Sequence, residues 1–130
     1  MTALRKHLPL PEEPQPGFVS CLRMAALDCR AAPRSSLKAC ELLDPDAGAE
    51  AHAALLTRTL PQMLRHRPVF WRPGASGRSF DEEWLLALAR AIAHGDHSSA
   101  RFLVRSRVHA QAAPTLMLLM RGMVGSLDIY

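Results

Sequence analysis

The sequence predicts an all-α protein: a compact bundle of five to six helices built from αα-hairpins, preceded by a proline-rich N-terminal tail. Three observations predict it. The 130 residues are rich in Ala, Leu, Met and Arg, which are strong helix formers, while Ile occurs only at Ile92 and Ile129 and aromatics make up 5%. Apolar residues recur at helical rather than alternating spacing. Helix starts and stops also carry recognisable signals, at Asp44-Pro45, Ser79-Phe80-Asp81-Glu82 and His94-Gly95-Asp96.

Residues 1–16 hold four prolines, Pro9, Pro11, Pro14 and Pro16, which remove backbone donors and forbid a continuous helix. The remainder, 17–130, reads as one helical domain whose halves, 17–66 and 79–125, are joined by a 67–78 loop. A first helix is expected from about Phe18 to Ala31, with Val19, Leu22, Met24, Ala26 and Cys29 as its apolar face. Pro33 ends it and opens a short second helix to Leu43.

Asp44 followed by Pro45 is an N-cap with proline at the first helical position. The third helix is therefore predicted over Pro45–Arg65, with Leu55, Leu56, Leu60, Met63 and Leu64 as its stripe. Pro61 should kink it or divide it near Thr57. Ser79 and Glu82 fit a capping box, so a fourth helix should begin at Phe80, burying Trp84, Leu85, Leu88 and Ile92. Gly95 should end it as the left-handed residue after the cap. Asp96 then caps a fifth helix, His97–Arg107, with Ala100, Leu103 and Val104 or Phe102 inward. A last helix is expected from about Ala110 to Met123. Because it is apolar nearly all round, it should be half core and half interface or the centre of the bundle.

Formal net charge is +4, and its distribution is uneven. Residues 58–80 carry five arginines and no carboxylate, whereas Asp81, Glu82 and Glu83 follow at once. Acids at helix starts and bases at helix ends suit the helix dipoles. What that does not explain is Arg67, Arg72 and Arg78 around the pair Phe70-Trp71. These five residues are the candidate binding set. Arginine forks suit carboxylates and phosphates, and aromatics anchor partners. The Gly74-Ala75-Ser76-Gly77 run before a helix start offers a way to present backbone N–H groups to an anion. The competing reading makes Phe70 and Trp71 a lid over the core.

Two further surfaces stand out. Arg101 and Arg105, joined by Arg107, form a basic edge on the fifth helix, and helices four and five outline a helix-turn-helix that would place Ser98, Ser99, Arg101 and Arg105 against DNA. Met117, Met120 and Met123 form a stripe suited to an adaptable apolar interface or, equally, to filling gaps in the core. Ala89-x-x-x-Ala93-His94-Gly95-Asp96 with Phe102-Leu103 resembles the helix pair of an ankyrin repeat over this one hairpin. The Thr-Pro-Leu-His opening and a repeat at about 33 residues are lacking, so the family's properties are not carried over.

Catalytic and cofactor signatures are missing. There is no G-x-S-x-G, no H-E-x-x-H and no phosphate loop ending in Lys-Ser/Thr. Cys21, Cys29 and Cys40 contain no Cys-x-x-Cys, and neither they nor His94, His97 and His109 have zinc spacing. No metal and no cofactor are expected. The odd cysteine count fits a reduced compartment, no apolar run approaches a membrane span, and the expected location is cytoplasmic. The resulting expectation is a non-enzymatic regulatory or adaptor protein that binds another protein or itself. Nucleic-acid binding through the same arginines is the second choice.

Overall fold

The computed structural model describes residues 16–29 and 48–127. Those residues are mostly helical and include no β-strand. They form α1 (Gly17–Cys29), α2 (Ala49–Met63), α3 (Phe80–Ala93), α4 (His97–Arg107), a 3-10 turn (Ala110–Ala112) and α5 (Ala113–Ser126). The proline-rich tail up to residue 15, the expected second helix and the Asp44-Pro45 cap lie outside the described residues. No helix among the described residues is long and apolar enough to cross a membrane.

In α1, Phe18, Val19 and Leu22 are fully buried, and Arg23, one turn after Val19, shares their face at 1% exposure. Met24, expected in the core, lies off that face and is 52% exposed. Helix α2 starts after Gly48, which offers no side-chain cap, and runs unbroken to Met63. Pro61 lacks the N–H that would meet the Thr57 carbonyl, yet it does not divide the helix there. It sits in the last turn, where Leu64 N–H closes onto the Leu60 carbonyl at 3.0 Å. Thr57 and Thr59 are buried because their hydroxyls donate one turn back, to the carbonyls of Ala53 at 3.0 Å and Leu55 at 2.7 Å.

Helix α3 begins where its capping box predicts. Ser79 Oγ accepts from Glu82 N–H and the Glu82 carboxylate accepts from Ser79 N–H. Its end is a Schellman motif: Gly95, at φ +70°, and Asp96 donate to the carbonyls of Ile92 and Ala91. Asp96 then accepts from Ser99 N–H at 3.1 Å and starts α4. That helix buries Ala100 and Val104 but leaves Phe102 71% exposed.

Helix α5 is where the methionine expectation needs correction. Met120 and Met123 are fully buried with Leu116 and Leu119, and Met117 is half-buried. The stripe is core, because α5 lies extensively along α2, which also packs on α1. Gly122 lets α5 come this close: a methyl group there would land inside the ring of buried His52, which a bond from Nδ1 to the Gly48 carbonyl (2.9 Å) holds in place. Helix α3 packs on α4 and touches α5 and α1. A single cluster of buried side chains thus draws on both sequence halves. The ends of α2 and α4 are tied by an antiparallel bridge between Leu64 and Val108, and His109 N–H reaches the Met63 carbonyl at 3.1 Å.

Candidate functional site

The connection between α2 and α3 owes its shape to two buried carboxylates in the first turn of α3. Glu82, fully buried, receives four hydrogen bonds. Arg23 from α1 meets it as a fork, Nε to Oε2 at 2.9 Å and Nη2 to Oε1 at 3.0 Å. The same carboxylate takes Ser79 N–H at 2.9 Å and Trp71 N–H at 3.0 Å. The Arg23 guanidinium also donates to the carbonyls of Ala75 (2.8 Å) and Gly77 (2.7 Å). One cation on α1 thereby fixes both the helix cap and the glycine-containing turn. Burial raises the Glu82 pKa, but the Arg23 bonds outweigh it, aided by the Ser79 and Trp71 N–H groups, and hold the carboxyl below the usual range.

Asp81 does the same for the start of the connection. Its Oδ2 accepts Val69 N–H at 2.7 Å, and its Oδ1 pairs with Arg107 from the end of α4 and with His66 Nε2 at 3.1 Å. Burial again raises its pKa, but the Val69 N–H, Arg107 and His66 outweigh that and hold the carboxyl low. His66 Nε2 also faces Arg107. It can donate to Asp81 or accept from Arg107, but one protonation state cannot do both. The Arg107 carbon of charge lies 4.8 Å from the ring centres of both Phe80 and Trp84. Its Nη1 is buried with no hydrogen-bond acceptor among the described residues and lies against these aromatic neighbours. Trp84 is itself oriented by a 3.0 Å bond from Nε1 to the Leu103 carbonyl.

These contacts revise the expected roles. In the run expected to cradle an anion, the carbonyls of Ala75 and Gly77 turn inward to Arg23 and Ala75 N–H donates to the Arg72 carbonyl, while Ser79 and Glu82 N–H belong to the capping box. Arg107 is not on the basic edge of α4, because it is drawn inward to Asp81 and is only 12% exposed. Phe70 packs against the core, as a lid residue would, whereas Trp71 is 39% exposed and folds back over Gly77. A Cβ on Gly77, already at φ +72°, would come within 3.2 Å of that ring.

The remaining predicted residues fall at different places. Arg78 pairs with Glu83 at 2.6 Å. Arg67 and Arg72 are exposed and have no ion-pair or hydrogen-bonded side-chain partner among the described residues. Arg101 and Arg105 are likewise exposed along α4. Arg23, the centre of the network, went unread in the sequence. Its signal was a lone cation on the apolar face of α1, in register with Val19.

Open depressions among the described residues lie elsewhere. One, about 660 Å³, separates α3 from α4 beside Arg90, His94 and Phe102. Another, about 860 Å³, lies between α1 and α2 and includes Cys21, Met24, Ala54 and Leu127. Burial, with Glu50 nearby, pushes the Cys21 thiol up, which disfavours the nucleophilic thiolate. No three His, Cys, Asp or Glu side chains gather as a metal site among the described residues. Comparison of the chain with protein-family models, curated proteins and solved structures found no match.

Proposed function

We propose that this chain is a small non-enzymatic regulatory or adaptor protein, a cytoplasmic helical bundle of αα-hairpins that binds another protein through the 65–80 connection. One observation carries the reading. The connection is pinned through its backbone and yet displays outward large apolar side chains and arginines that no described residue neutralises. Val69 is 51% exposed, Trp71 39% and Phe80 75%, beside Arg67 and Arg72. Exposed aromatics and arginines on a backbone already held in place have the composition of an interface anchor and lose little entropy on binding.

The test exploits the fact that the anchors are the backbone N–H groups of Val69 and Trp71 and the side chain of Phe70. Trp71→Ala with Arg72→Ala removes the display and keeps the anchors. A photo-cross-linking residue at position 69 should capture a partner in cells, and the double variant should lose that capture with its helical circular dichroism unchanged. Equal capture by the double variant overturns the reading, and so does its unfolding.

A second reading, nucleic-acid binding, is favoured by Arg101 and Arg105, one turn apart and exposed on α4. It requires a mobility shift with duplex DNA that weakens steeply with salt, with a log–log slope of about −0.9 per phosphate neutralised. No shift at low salt removes it.

A further inference from the structure

The partner chemistry can be taken further, resting on the reading just given. Residues 67–72 run without helix, turn or bend. Their hydrogen bonds alternate as in a strand, where successive residues point their N–H and C=O groups to opposite edges. On one edge, Val69 N–H goes to Asp81, Val69 C=O accepts from Ser79 Oγ at 2.6 Å and Trp71 N–H goes to Glu82. The first turn of α3 thus takes up that edge. On the other edge, Arg72 C=O accepts from Ala75 N–H at 3.1 Å, while Phe70 N–H, Phe70 C=O and Arg72 N–H make no hydrogen bond to the described residues. Backbone groups left in this state are a template for an added strand.

Charge identifies what would add. The three carboxylates that follow the arginine run are each matched to a cation: Glu82 to Arg23, Asp81 to Arg107 and Glu83 to Arg78. Two of those cations come from α1 and α4 rather than from the connection. Arg67 and Arg72, at the two ends of the 67–72 segment, therefore keep their charge unneutralised by the described residues. Val69 and Trp71 stand between them with apolar surface exposed.

We infer that the open edge at Phe70 and Arg72 N–H receives an acidic peptide segment in extended form. Its main chain pairs with Phe70 and Arg72. On the face shared by Arg67, Val69 and Trp71 it places apolar side chains on Val69 and Trp71 and a carboxylate at Arg67, and beyond them on the other face a carboxylate at Arg72. Double-stranded nucleic acid could satisfy the arginines but offers no backbone amides to this edge, so the peptide is the better match.

The probe is a fluorescein-labelled peptide with a Val-rich centre and Glu at both ends (the Glu–Val peptide), titrated into the full chain by anisotropy. Four controls accompany it: the Lys–Val peptide, duplex DNA, and the Glu–Val peptide N-methylated on its odd or on its even residues. The Glu–Val peptide should bind and the Lys–Val peptide should not. One of the two N-methylated forms should lose about fivefold for each blocked hydrogen bond. Arg67→Glu with Arg72→Glu should weaken binding by about tenfold or more. Equal binding of both N-methylated forms overturns edge pairing. Equal binding of the Lys–Val peptide, tighter binding of DNA, or no binding of any probe overturns the acidic peptide. If those outcomes occur while Val69 cross-linking persists, this inference fails and the protein-binding reading stands. If cross-linking is lost as well, both fail.

Discussion

Arg23 sits where hydrophobic periodicity asks for an apolar side chain, and it survives there because each nitrogen of its guanidinium finds an acceptor. A buried cation is tolerated only when paired and hydrogen-bonded. Glu82 and the carbonyls of Ala75 and Gly77 meet that condition. Removing one partner strands the other charge. Arg23→Met is expected to lose about 3–5 kcal/mol of stability by urea unfolding. Glu82→Gln should lose a comparable amount, and the double variant should lose clearly less than the sum. Additive losses would mean that the pair does not act as one unit. A residue-by-residue reading of the sequence could place Glu82 in a capping box. It could not see that the same carboxylate also holds Trp71 and Arg23, because those partners lie 11 and 59 positions away.

At the scale of elements, local signals were read well wherever chain neighbours supply the chemistry. The Ser79 box, the Gly95 stop and the Asp96 cap each involve residues within one helical turn, and each stands where expected. Ser79→Ala should lose about 1–2 kcal/mol, at the upper end for a cap because the hydroxyl also donates to the Val69 carbonyl. A loss under a few tenths would show that the Glu82 bonds alone start the helix. Packing between elements was less legible. The uniformly apolar last helix gave no sign of which side faced inward, so its methionines fitted an interface and a core equally well, and packing made Met120 and Met123 core. The contact that decides it is Gly122 against His52. Gly122→Ala should cost about 1–3 kcal/mol through overpacking, and His52→Ala in the same chain should recover much of that. No recovery in the double variant would place the cost elsewhere.

The whole molecule should respond to acid through the same network. Asp81 and Glu82 both titrate below their ordinary range when folded. Unfolded, they take protons near pH 4. Their contribution is thus fully present above about pH 4.5 and is lost as pH falls through and below that value. The urea midpoint should drop over this window, and Glu82→Gln, measured relative to its own neutral-pH value, should show a shallower drop. An unchanged acid profile would separate the carboxylates from stability.

The sequence by itself determined the all-α class, the caps that delimit α3 and α4, and the excess of arginine between residues 58 and 80, since these depend on composition and on residues within a turn of one another. Only the tertiary structure decided which arginines are free. Whether a guanidinium is neutralised depends on carboxylates brought from other helices: Arg23 is matched by Glu82 and Arg107 by Asp81, which leaves Arg67 and Arg72 without a carboxylate among the described residues, beside an exposed Trp71.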